Sequence, residues 1–139
     1  MTRDGIYAFL RRFHYGVIST TSAEGAPQSA LVGYAATPEL HLVFDTLRSS
    51  RKFANIIRNP RCSFVVGGWD SEQTLQFEGE AHELTISELE HYKNAYLASF
   101  PEAIERMKRV DIVYVAVEAR WIRYSDYDQN PVEIQEWKF

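Results

Sequence analysis

Short β-branched and aromatic runs, each closed by a turn signal, recur along this chain and point to a mainly β fold. Residues 15–22 form the first run, ended by Ala23-Glu24-Gly25-Ala26-Pro27. The second spans about 28–36 and turns at Thr37-Pro38-Glu39 into a third, 40–46. Residues 62–69 read as a fourth strand, where Gly67-Gly68 marks a bulge or a close approach of another group. A fifth is predicted over 74–84. A long last strand over 111–124 sets Val113, Val115 and Val117 on one face. The tail, 132–137, alternates again and suits a final strand or a reach to a partner chain.

Helices fill the corners. Ile6, Phe9, Leu10 and Phe13 recur at helical spacing, with Arg11 and Arg12 opposite. A second helix is predicted over 50–58, stopped by Asn59-Pro60. A third opens with Ser87 as N-cap and Glu90 three residues on, a capping box, and ends near Phe100-Pro101. Pro101-Glu102-Ala103-Ile104 starts a further turn or two. Six or seven strands with short helices predict a small antiparallel barrel with α additions, an α+β fold that is mainly β. At 139 residues one domain over 1–139 is expected.

The junction at residues 46–52 carries the chemistry. Between residues 46 and 69 stand five cations (Arg48, Arg51, Lys52, Arg58, Arg61) and no carboxylate, in a chain of net charge -4. Arg51 and Lys52 fall in the first turn of the second helix, where the macrodipole already disfavours cations. A solvated helix cap with Ser50 as N-cap is the bland reading. The dipole conflict, the missing acids and the strand-turn-helix context favour a bound phosphate, held by free helix N–H groups, Ser49 and Ser50 hydroxyls and the two cations.

Other chemistries find little purchase. The acidic balance argues against a nucleic-acid binder. The single Cys62 excludes an internal disulfide and reads as a buried thiol. His14, His41, His82 and His91 lack metal-ligand spacing and read as structural. No Gly-x-Ser-x-Gly elbow, Gly-x-Gly-x-x-Gly or Walker loop occurs. Glu78, Glu80 and Glu83 read as solvating residues. No apolar run reaches the roughly 20 residues of a membrane span, and no signal-peptide pattern opens the chain, so a cytoplasmic location is expected. A phosphate-bearing cofactor that brings its own chemistry fits best. Trp69 and Trp121 could supply a flat apolar wall for it, with ordinary packing as the alternative.

The segment Val43-Phe44-Asp45-Thr46-Leu47-Arg48-Ser49-Ser50-Arg51-Lys52-Phe53-Ala54-Asn55-Ile56-Ile57-Arg58-Asn59-Pro60-Arg61-Cys62-Ser63-Phe64 resembles the signature of pyridoxamine 5'-phosphate oxidase and its relatives. That resemblance implies an FMN-binding split β-barrel, usually a homodimer with flavin at the subunit interface. By resemblance, Arg51 and Lys52 match the pair that holds the FMN phosphate. Thr46 and Ser50 match positions near the phosphate and ribityl chain. Ser29-Ala30-Leu31-Val32 matches the strand whose backbone lies along the isoalloxazine ring. A flavin-touching glutamine falls near Gln73 or Thr74, and a late-strand tryptophan near Trp121.

Several positions depart from the family. Ala30 and Ala35 stand where full-length oxidases carry Arg and Lys, and Asp45 where an aromatic is common. Ile122-Arg123-Tyr124-Ser125 replaces the late Arg-x-His that grips the substrate phosphate. The chain therefore resembles the short flavoprotein cousins better than the oxidase proper. The implied activity is FMN-dependent oxidoreduction through flavin N5, on a small-molecule substrate or electron donor, with no protein nucleophile and no metal. Alternatives within the fold are a deazaflavin or haem binder, or a non-catalytic flavin-binding stress module.

Overall fold

The computed structural model describes residues 1–139. The strands are β1 (Tyr15–Thr21), β2 (Pro27–Gly33), β3 (Ala35–Ala36), β4 (His41–Leu47), β5 (Arg61–Gly67), β6 (Gln73–Glu83), β7 (Ile112–Asp126) and β8 (Glu133–Lys138). The helices are α1 (Arg3–Arg11), α2 (Arg51–Arg58), α3 (Ile86–Ser99) and α4 (Ala103–Arg106). All strands join one antiparallel sheet ordered β2-β1-β5-β6-β7-β4-β3, with β8 added to the second half of β7. No helix is long and apolar enough to cross a membrane.

The strand predicted over 28–36 breaks at Tyr34, so β2 pairs with β1 and β3 with β4. These two pieces stand at opposite ends of the strand order with one residue between them. A flat sheet would hold its ends far apart, so this sheet must curl until they meet. Tyr34 pins the corner: its N–H donates to His14 O at 3.0 Å and its hydroxyl to Leu10 O at 2.6 Å. Between β2 and β4 no ladder runs, and the barrel is split there.

Inward residues alternate along each strand, and Ile6, Phe9 and Leu10 of α1 join Ile18, Phe44, Phe64, Leu75, Phe77 and Ile122 in one core. β4 and the first half of β7 are buried on both faces. Val113, Val115 and Val117 face the barrel, whereas Tyr114 and Ala116 pack outside it under Tyr96, Phe100 and Ala103. That outer layer accommodates Asp45, whose carboxylate accepts from Arg106 Nε at 2.8 Å.

One local expectation is corrected, and two open alternatives are resolved. The capping box of α3 is Thr85 with Glu88, not Ser87 with Glu90. Glu88 also meets His82 Nε2 at 2.8 Å, a contact to the end of β6 that favours the earlier of two similar local patterns. The sheet bulge falls at Glu78/Gly79, where a Cβ on Gly79 would strike the Glu118 carbonyl. Gly67-Gly68 is instead the close approach, with φ of 95° and 80° and Gly68 N donating to Gln73 O at 2.8 Å. The tail pairs as the final strand β8, placing Trp137 beside Ile122.

Candidate functional site

Ser50 caps α2, and hydrogen bonds converge on its hydroxyl. Phe53 N–H donates to Ser50 Oγ at 3.3 Å, and Thr46 Oγ1 donates to it at 3.0 Å. Lys52 Nζ in turn donates to Thr46 Oγ1 at 3.3 Å. With both acceptor positions engaged, the Ser50 O–H is left to point outward. The backbone N–H groups of Arg51 and Lys52, at the start of the helix, make no hydrogen bond within the chain. No acid stands in that first turn.

The five cations divide. Arg48 is held by Glu83 at 2.9 Å, and Arg58 donates to Thr21 O and Asn55 Oδ1. Arg61 lines a separate polar cleft with Glu78, Glu80 and Arg120. Arg51 and Lys52 meet no carboxylate and share a cleft of about 140 Å³ with Ile18, Thr20, Gln28, Ser29 and Ala30. Burial, and secondarily the neighbouring Arg51 charge, hold Lys52 below the ordinary lysine value.

That depression has a sign. The unfolded chain binds the Lys52 proton more tightly, so stability rises with pH between the lowered value and the ordinary one. Lys52→Met should flatten this rise, as read by urea denaturation across the alkaline range. An unchanged slope would show that Lys52 feels no such field.

The edge of β2 forms the other wall. Tyr34 N donates to His14 O and Ser22 N to Ala26 O, so the hydrogen-bonded pairs of the β1–β2 ladder are the even-numbered ones. The N–H and C=O groups of Ser29, Leu31 and Gly33 therefore point away from β1, and no strand pairs with β2 on that side. Such an open edge is normally covered or blunted. Here it begins beside the cations of α2.

Three residues that sequence reasoning passed over hold the cleft together. The buried Asn55 amide donates to Thr20 Oγ1 at 3.0 Å and Gln28 Oε1 at 2.9 Å, tying α2 to β1 and β2. A polar Asn on the inner face of an apolar helix was the available signal.

Gln73 and Trp121 are not in this cleft. The Gln73 side chain accepts from Arg12 at 2.8 Å and donates to Asp126 at 3.1 Å. Trp121 lies on the outer face, in a cross-strand row that runs Ser29, Ser19, Ser63, Glu78, Trp121. Four strand spacings separate it from Ser29, roughly 19 Å measured along the curved sheet. It lines a groove of about 330 Å³ with Val17, Ser63, Val65, Gln76 and Glu78.

His41, His82, Glu80 and Cys62 play structural parts. His41 Nδ1 lies 2.6 Å from Tyr92 Oη and, with His82, fastens α3 to the sheet. Glu80 pairs with Arg120 at 2.7 Å. Burial, with the Glu80 charge adding, pushes the Cys62 thiol up to about 12.

The residues fit a phosphate-bearing group with a flat polar ring. Cations without acids, free helix N–H groups and an unpaired strand edge converge on one cleft. The chain is similar to several known proteins. The family model for pyridoxamine 5'-phosphate oxidase matches residues 3–125. A pyridoxine/pyridoxamine 5'-phosphate oxidase of Nocardioides sp. is 28% identical over 130 residues, 84% of this chain. The chain spans only 58% of that enzyme's length.

Two solved structures share the fold. A heme binding protein from Mycobacterium smegmatis superposes with a TM-score of 0.83 at 16% identity, over 99% of this chain and 58% of that one. A pyridoxamine 5'-phosphate oxidase-related, FMN binding protein from Nostoc punctiforme gives 0.71 at 11% identity, over 98% and 93%. The chain belongs to the pyridoxamine 5'-phosphate oxidase family.

Proposed function

We propose that this chain is an FMN-binding homodimer that acts as an oxidoreductase on a small molecule or electron donor. The observation that carries the reading is the meeting of Arg51 and Lys52 with the open β2 edge in one cleft. Arg51, Lys52, the Ser50 hydroxyl and the first-turn N–H groups would bind the phosphate. Backbone groups of Ser29 and Leu31 would orient the ring through its own polar edge. When bound, FMN supplies hydride transfer at N5. Relatives described as an FMN binding protein and a pyridoxamine 5'-phosphate oxidase support the choice of cofactor.

The distance between Trp121 and the cleft favours a dimer. Within one chain the two lie four strands apart around the sheet, and a second copy packed on the outer face can supply its own Trp121. Exposed Val65 on that face suits such a seam.

The substrate reading leans away from pyridoxamine 5'-phosphate. Ala35 is buried in the outer layer and Ala30 is uncharged, so β2 and β3 offer no cation to a second phosphate. Arg123 stands 3.6 Å from Glu136 of β8.

The absorption spectrum of the purified protein, with light scattering for mass, tests the reading. A yellow dimer that releases flavin on denaturation is expected. A Soret band would replace flavin with haem, and colourless protein that ignores added FMN would end the proposal.

A further inference from the structure

Beyond the phosphate cleft, the outer face of β1 and β2 carries an open recess of about 380 Å³ lined by Arg12, Phe13, His14, Tyr15, Leu31 and Trp69. Its walls are almost wholly carbon, yet Trp69 is 61% exposed, Tyr15 55% and Leu31 62%. Three large apolar side chains facing water around one hollow are unusual in a chain with a well-filled core. We infer that this recess binds a flat, uncharged aromatic molecule bearing a ring carbonyl, and that it is the substrate pocket of the proposed flavin site.

The recess is built. Gly67 and Gly68, both in left-handed conformation, turn the chain at the end of β5 and set Trp69 at the rim. A Cβ on Gly67 would strike the Gln73 carbonyl, and Gly68 is fixed to that carbonyl at 2.8 Å. Beneath Tyr15 the Phe100 ring lies against Gly33 so closely that an added Cβ would sit 2.8 Å from its Cζ. Phe100 also meets Tyr15 and His14 edge-on, at 6.5 and 5.9 Å between ring centroids. An aromatic wall braced by such edge-on contacts favours a flat guest over a puckered one.

Two polar groups converge on the mouth. Unlike His41 and His82, the His14 imidazole makes no hydrogen bond within the chain. Arg12 is anchored to Gln73 at 2.8 Å and stacks over Phe9 and Phe13 at 5.3 Å. An unpartnered imidazole and a guanidinium already engaged with Gln73 leave a single free hydrogen-bonding group at the mouth, which suits one carbonyl oxygen better than a phosphate. The volume lies in the range of small-ligand sites, roughly 300–1,000 Å³.

Position adds the link to the cofactor. Ser29 lines the phosphate cleft and Leu31 lines the recess. The open β2 edge from Ser29 to Gly33 is roughly 13 Å long. A ring laid along it from the phosphate end points toward the recess. This placement rests on the proposed FMN site, but the binding does not.

Calorimetric titration of the flavin-free chain with chromone (flat, bicyclic, one ring ketone) and with 1-decalone, its saturated counterpart in size, tests the inference. Chromone should bind at least about tenfold tighter than 1-decalone, and Trp69→Ala should weaken it by about tenfold with the assembly state unchanged. Tyr15→Ala, also at an exposed position, should act in the same direction. Equal affinity for the two probes would overturn the proposal, as would chromone binding indifferent to both substitutions. Tighter binding of pyridoxamine 5'-phosphate, or a Trp69→Ala variant that loses its partner copy instead, would overturn it too. Failure of FMN uptake leaves these measurements readable, so the two readings fall separately.

Discussion

Arg51→Ala combined with Lys52→Glu is expected to lower FMN affinity by about 3–5 kcal/mol, roughly two to four orders of magnitude, because it removes one cation and reverses another at a charge-assisted contact. The fold should survive. Arg51 is exposed, and Lys52 gives up only a 3.3 Å contact to Thr46 in the flavin-free chain. Flavin fluorescence quenching gives the affinity, and circular dichroism the fold. A double variant that binds FMN as tightly as the parent would place the phosphate elsewhere.

Asn55→Ala should destabilise the chain by about 2–4 kcal/mol, since it strands the buried Thr20 hydroxyl and the Gln28 amide together. The same change should loosen the cleft, whose lining includes both residues, and so weaken FMN binding as well. Urea denaturation and flavin titration of one variant read the two effects. A stability loss below about 0.5 kcal/mol would mean that water satisfies both groups, and that the network is not what ties α2 to the sheet.

Much of this architecture is visible in local pattern. Strands β1, β4 and β5 and helix α2 lie within a residue or two of their sequence-derived bounds, because each is a short run closed by strong turn or cap chemistry. The anion-ready turn is local too, so Thr46, Ser50, Arg51 and Lys52 come together as adjacent residues must. What escaped is non-local. Nothing around Tyr34 announces that the strand there changes partners, since the cause is a hydroxyl reaching Leu10. Thr85 and Ser87 both begin a capping-box pattern, and His82, three residues before Thr85, favours the earlier one through its tie to Glu88. Helical spacing sets Asn55 on the inner face of α2, but its partners, Thr20 and Gln28, are distant in sequence and no local pattern names them. Gln73 and Trp121 illustrate the opposite limit. Their places near a flavin rest on resemblance, and a single chain sets them apart from the cations.

The ladder between β4 and β7 joins residues 41–47 to residues 112–118. During synthesis the ribosome therefore releases β4, and the cation turn that follows it, well before the strand that completes them exists. Long-range pairing of this kind slows folding, since the loop must close before any ladder energy is gained. The nascent chain waits with one side of β4 open, and its barrel can shut only when the last fifth of the polypeptide arrives.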